Sequence, residues 1–282
     1  MTRNLVCFAL LAGCFIKPNK VDPGGGGDDD GGNHVFHDAR IDTLPPDPLF
    51  VPRVIVNANY SDTQATSMNT YGHYYLAVPP GSIHEGDLLV IIGNADNNPT
   101  WSLPDASWQQ QRSVFYGNDG QTFVVFTKVA TGVEPDHYGG SLANISSGAF
   151  TVSLLAIPKT GNFTVQHRTA AACGSGGGCG ENPVHHIADP VTTVVANTMV
   201  IFAGGADWLA QTDTFSTTPP DAFAKIASFG DRDNQDFWWV TQQIAYKIYD
   251  IPQTTPQLMA STSAGSTNGQ FWALTIAIEP AP

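Results

Sequence analysis

GDLLVIIGNAD (Gly86–Asp96) decides how the rest of the chain is read. Five apolar residues, Leu88 to Ile92, stand in a row between Gly-Asp and Gly-Asn-Ala-Asp. The run is too short for a typical globular helix, is rich in β-branched residues and is bounded by turn formers, so it reads as a buried strand. The pattern returns as NTMVIFAGGAD (Asn197–Asp207). Three more pairs follow in the same order: LPDA (Leu103–Ala106) with PPDA (Pro219–Ala222), FTKV (Phe126–Val129) with AYKI (Ala245–Ile248), and FTVSLLAIP (Phe150–Pro158) with FWALTIAIEP (Phe271–Pro280). The separation within each pair grows slowly along the chain, as loop insertions would make it. Four matches in order imply two related halves.

Around these pairs, VIVNA, YYLAV, TFVVFTKVA and QQIAYKIY are further short runs of Val, Ile, Phe, Tyr and Thr, with Gly, Pro, Asn and Asp between them. No long stretch carries a helical period. The fold class is therefore all-β, a jelly-roll-like β-sandwich built from two related halves. Each half alone is short of strands for two covered sheets. The expectation is one sandwich over 50–282, with halves at about 50–167 and 185–282 joined through His185–Thr193.

The first residues, MTRNLVCFALLAGCF, place a charge at Arg3 before a short apolar centre, Leu5–Leu11. That centre is far below the ~20 apolar residues of a membrane-spanning helix. It fits a secretory signal peptide over 1–13. Leu11-Ala12-Gly13-Cys14 resembles the lipobox of bacterial lipoprotein precursors, which implies cleavage before Cys14 and lipid on that residue. The implied partner is the lipid membrane, with several acyl chains on Cys14 giving a stable anchor. Phe15, where Asp would signal inner-membrane retention, implies the outer membrane or cell surface. Residues 14–49 include DPGGGGDDDGG (Asp22–Gly32) and read as a flexible, self-repelling tether.

The formal net charge of -13 argues against a nucleic-acid partner, because an acidic surface repels phosphate. Of the four cysteines, Cys7 leaves with the signal peptide and Cys14 carries lipid. Cys173 and Cys179, in AACGSGGGCG, are left to pair as a disulfide in an oxidising compartment. A rival Cys2His2 zinc site with His185 and His186 matches no known ligand spacing.

The order VPPGSIHEGDLLV, W-x-L-P, FVVFTKVATGVEPDHY, AIP, and then VTTVVANTMVIFAGGA and IAIEP resembles a module of bacterial surface proteins and phage tail proteins. The matching positions are Gly86, Asp87, Pro104, Lys128, Val129, Ala130, Gly132, Glu134, Pro135, Asn197 and Thr198. The resemblance implies a β-sandwich in a surface or particle-coat setting, with no agreed catalytic residue or ligand.

No nucleophile elbow, zinc-protease motif or phosphate-binding loop is present. DRDNQD (Asp231–Asp236) gathers hard oxygens from Asp231, Asp233, Asn234 and Asp236. It lacks the Gly and Glu of an EF-hand, so a looser calcium site competes there with a plain polar loop. No other cofactor is expected. Trp101, Trp108, Trp208, Trp238 and Trp239 stand at strand ends and turns, where flat rings suit sugar faces. Two functions remain. The first is a lipid-anchored, non-catalytic cell-surface module for adhesion, glycan binding or envelope structure, with a surface glycan or envelope protein as partner. The alternative is a carbohydrate-active enzyme whose carboxylate pair comes from Asp96, Asp105, Asp207 or Asp221.

Overall fold

Five consecutive apolar residues can be strand only if both faces of the sheet are covered. The computed structural model shows how that is done. It describes residues 53–61, 72–96, 98–116, 121–144, 149–158, 163–170, 184–209, 216–232, 238–263 and 271–280. The signal peptide, Cys14, the tether and the Cys173/Cys179 pair lie outside the described residues.

The first strands are β1 (Arg53–Ser61), β2 (Gly72–Ala77), β3 (Leu88–Asp96), β4 (Thr100–Trp101), β5 (Gln109–Tyr116), β6 (Gln121–Val129), β7 (His137–Ala143) and β8 (Ala149–Ile157). They form a five-stranded sheet, β1-β8-β3-β6-β5, and a three-stranded sheet, β2-β7-β4. The next strands are β9 (Phe163–Ala170), β10 (Val184–Ala188), β11 (Thr198–Leu209), β12 (Ser216–Thr218), β13 (Ala224–Arg232), β14 (Trp238–Tyr249), β15 (Leu258–Ser263) and β16 (Phe271–Pro280). Their sheets are β9-β16-β11-β14-β13 and β10-β15-β12. Adding eight to each strand number of the first set gives the second, so the chain is a duplication of one jelly-roll unit. Every pairing is antiparallel.

The register repeats as well. Leu88 pairs with Ile157 and Val129 in the first unit, and Met199 pairs with Ile278 and Ile248 in the second. A β-bulge falls between Gln110 and Arg112 and again between Lys225 and Ala227, at matching points of β5 and β13. The turn at the start of β3 and β11 repeats too. Gly86 and Asn197 take the same left-handed backbone, with φ of 80° and 60°, which favours Gly or Asn. The residue after each closes the turn with its side chain: Asp87 accepts from the His84 amide, and the Thr198 hydroxyl donates to the Val195 carbonyl.

Three sequence expectations need correction. Each half is a complete eight-stranded sandwich, because β4, β5, β7, β9, β10, β12, β13 and β15 add strands that the apolar runs did not reveal. The halves meet between Ile157 and Phe163, so His185–Thr193 is no linker but contains part of β10. The Pro-Asp turns match one residue differently. Trp108 donates to the Asp105 carbonyl and Phe223 to the Pro220 carbonyl, so Asp105 corresponds to Pro220 and not to Asp221.

The two rolls pack through their five-stranded sheets, giving four layers and three cores. Leu88, Val90 and Ile92 of β3 face a central core with Met199, Ile201 and Ala203 of β11. Leu89 and Ile91 face the first roll's own core, and Val200 and Phe202 face the second's. This is why both segments are apolar at every position. One end of the central layer is polar. Ser153 donates to Gln242 Oε1 at 2.8 Å, Gln242 Nε2 donates to the Ile92 carbonyl at 3.3 Å, and Asn94 Nδ2 donates to the Thr241 carbonyl at 3.4 Å.

Candidate functional site

The strand GHYYLA (Gly72–Ala77) alternates strictly between buried and exposed. Tyr74 and Leu76 enter the first roll's core, so His73 and Tyr75 stand on the outer face of the three-stranded sheet. On the neighbouring β7, Tyr138 and Leu142 are buried, which turns His137 and Gly139 outward. Register puts Tyr75 opposite Gly139 and Ala77 opposite His137. Tyr75, 51% exposed, stacks on the diagonal His137 with ring centroids 4.5 Å apart and planes at 21°. His137 Nδ1 lies 2.6 Å from Asp136 Oδ1.

Beside this stack lies an open recess of about 490 Å³. Besides the stacked pair, it is lined by His73, Gly139 and Gly140, Tyr74 and Tyr138, and by Pro104, Asp105 and Pro135. The glycines are required by packing, since a Cβ on Gly140 would sit 2.5 Å from the Tyr74 hydroxyl. The recess exists because β4 is short. It pairs with β7 only at Ala143 and Leu142, and the Ser102 amide extends the contact to the Ser141 carbonyl. Beyond that the chain leaves β7 for the Pro104–Asp105 turn. Asp105 is fixed there: the Ser107 hydroxyl and amide both donate to its Oδ1. The Ser107 hydroxyl is the main reason its carboxyl is held below the usual range.

Behind the recess, the K-V-A-T-G-V-E-P segment closes on itself. Glu134 Oε2 accepts from Lys128 Nζ at 2.8 Å and from the Tyr138 hydroxyl. Its Oε1 accepts from the Thr131 amide at 2.6 Å and the Thr131 hydroxyl at 3.1 Å. Lys128 and Glu134 are 9% and 6% exposed. Burial pushes the Glu134 carboxyl up, but Lys128, Tyr138 and the Thr131 amide outweigh it and hold it below its usual range. With four donors on two oxygens, Glu134 is a strap between β6 and β7. Burial pushes the Tyr138 phenol up, reinforced by its bond to Glu134.

Two of the predicted aromatic platforms are buried. Trp101 and Trp108 are 6% and 2% exposed, so neither presents a face to solvent. Trp101 packs edge-on against Phe150 and Trp108 edge-on against Tyr138. A Cβ on Gly93 would meet the Trp101 ring at 2.7 Å, so β3 is shaped around that indole. Both tryptophans belong to the first roll's core, Trp101 turning inward beside the exposed Thr100 in β4. Trp208 lies in β11, and Trp238 and Trp239 open β14; their side chains are outside the described residues. Asp231 belongs to β13, paired with Val240, and not to a loop. Asp233, Asn234 and Asp236 lie outside the described residues. Asp96 and Asp207 hold matching register positions, opposite Gln121 and Val240. Among the described residues, no group of three His, Cys, Asp or Glu is arranged to hold a metal.

The second roll lacks the recess chemistry. The buried pair Leu76–Tyr138 corresponds to the buried pair Ala188–Leu258. By that register Ile187 replaces Tyr75, Met259 replaces Gly139 and Gln257 replaces His137, and by the matching turn bonds Pro220 replaces Asp105. No family model matches the chain, and neither a curated protein nor a solved structure is similar to it.

Proposed function

We propose that this chain is a lipid-anchored, non-catalytic surface module that binds glycan in the recess on the outer sheet of its first jelly roll. The observation that carries the reading is the Tyr75–His137 stack beside Gly139 and Asp105, present in one roll and replaced at all four positions in the other. Residues that serve the scaffold recur in both rolls, as the Gly86/Asn197 turn and the β5/β13 bulge do. At the recess the strand register is kept while the residues differ, and Tyr75, His137 and Asp105 are exposed, so they are not needed as core filling. An exposed ring supplies a flat apolar face for a sugar, and neighbouring carboxylate and imidazole groups bond its hydroxyls.

Binding fits the carboxylates better than hydrolysis does. Glycoside hydrolysis uses two carboxyl groups, one of them able to hold and deliver a proton. Glu134, whose charge acts on Asp105 from behind the recess, is saturated with donors and held below its usual range. The anchor, Cys14, and the Cys173–Cys179 disulfide remain part of the proposal on their sequence context.

A glycan-array screen of residues 34–282 tests the central part. Wild type is expected to bind a defined subset of glycans and Tyr75→Ala to lose that subset. An array blank for wild type, or unchanged by the substitution, would overturn it. Metabolic labelling with a fatty-acid analogue tests the anchor: wild type takes the label and Cys14→Ala does not, whereas equal labelling removes the lipid.

A further inference from the structure

We infer that the recess selects amino sugars carrying a free ammonium group, with the ring on Tyr75 and the ammonium on Asp105. This rests on the glycan-binding reading and narrows it. The carboxylate is the deciding group. Ser107 occupies Oδ1 of Asp105 with both its donors, which fixes the orientation of the side chain and leaves Oδ2 for a ligand. The residue is exposed at the recess wall, so a ligand reaches it without displacing protein.

The bases that line the recess are His73 and His137, and Lys128 acts on Asp105 from behind it. No lysine or arginine lines the recess. The nearest lysine, Lys128, is bound to Glu134 at 2.8 Å and lies over the Tyr138 ring, 5.2 Å from its centroid. The pair is neutral as a unit and faces the interior. An anionic sugar would meet Asp105 with no lysine or arginine on the recess lining to offset it, on a chain of formal charge -13. A neutral sugar would use the aromatic wall and leave the carboxylate to water. A free ammonium satisfies both walls, since charge-assisted hydrogen bonds are roughly twice as strong as neutral ones. Acetylating that nitrogen removes the charge and adds bulk facing Pro104 and Pro135.

Titration calorimetry on the full chain with three probes tests this: a glucosamine tetramer, its fully N-acetylated form and cellotetraose. The glucosamine tetramer is expected to bind wild type at least tenfold tighter than either of the others. Asp105→Asn keeps an oxygen for the Ser107 amide and is expected to bring the three within about threefold. Asp221→Asn, an exposed carboxylate on the second roll, removes the same charge and is expected to leave the preference intact. Tyr75→Ala is expected to weaken all three. If the acetylated or neutral tetramer binds as well as glucosamine, the inference falls and the glycan reading stands. An equal loss in the Asp105 and Asp221 variants reduces the effect to general attraction by an acidic protein and also overturns it. Failure of the glucosamine tetramer to bind overturns it outright, while the array alone decides the broader reading.

Discussion

Ala222 holds a left-handed backbone, φ 61°, in the turn that leads into β13. That conformation costs an L-residue roughly 1–2 kcal/mol relative to the right-handed one. Ala222→Gly removes the clash at the expense of some backbone entropy, so the net gain is about 0.5–1 kcal/mol. Thermal denaturation should show a rise of roughly 1–4 °C for a domain of this size; a fall would mean that the methyl group is needed by the turn. Glu134 makes stability depend on pH. Its folded-state carboxyl titrates below the unfolded one, so its contribution is present above the unfolded value, about 4.3, and is lost as pH falls through the folded value. Glu134→Gln is expected to be less stable than wild type at pH 7, with the difference shrinking as the pH is lowered past 4. A constant difference between pH 7 and pH 3 in urea denaturation would contradict the ionised strap. Residues such as these were legible in sequence only as turn positions. The partners that give Glu134 its role, Lys128 and Tyr138, stand six positions before it and four after it, and spacing alone does not show that they meet.

At the scale of elements, legibility followed burial. The runs read as strands from their apolar content became β1, β2, β3, β6, β8, β11, β14 and β16. Most of these are central, and β3, β8, β11 and β16 are covered on both faces, which produces unbroken apolar sequence. The strands missed were edges or members of the outer sheets. QQQRSVFY in β5 and HYGGSLA in β7 carry polar or glycine positions because one face or one edge is open. The functional candidates fell into the same gap. Tyr75 sits in a strand whose alternation, YYLA after GH, was available to read, yet the tryptophans drew attention by size. Size marks core filling as readily as exposure, and Trp101 and Trp108 fill core. The central strands also fix each other's shape. A Cβ on Gly205 of β11 would lie 2.2 Å from the Trp272 indole nitrogen, a contact that forces β16 or its indole to move. Gly205→Ala is expected to cost about 1–3 kcal/mol and to shift the tryptophan emission in fluorescence-monitored unfolding. Unchanged stability would show that Trp272 has another rotamer to adopt.

Across the whole molecule, the two rolls meet as two subunits of a symmetric dimer would, the same face of each against the other. β1 lies against β13 and β8 against β14, the reversed order that a twofold relation produces. The seam has nevertheless diverged. Phe123 and Trp272 stack at 4.9 Å on one side. Their matching positions on the other side, Gln242 and Thr151, are polar and wholly or almost wholly buried. Gln242 serves both rolls, accepting from Ser153 and donating to the Ile92 carbonyl. Gln242→Ala takes away the acceptor of the buried Ser153 hydroxyl and is expected to cost about 1–3 kcal/mol in urea denaturation; unchanged stability would contradict this. The duplication was legible because like registers bury like faces in both copies. The seam was not, since its partners lie in different halves and no local pattern links Ser153 to Gln242.

Symmetric scaffold and asymmetric site make opposite demands on one experiment, amide chemical-shift mapping of the assigned chain titrated with the glucosamine tetramer. Shifts are expected in His73–Tyr75, Pro104–Ser107 (through the amides that flank the proline) and His137–Gly140. The matching positions Ile187, Pro220–Phe223 and Gln257–Met259 should stay still. Shifts of equal size in both rolls, or confined to the second, would contradict a binding site carried by the first roll alone.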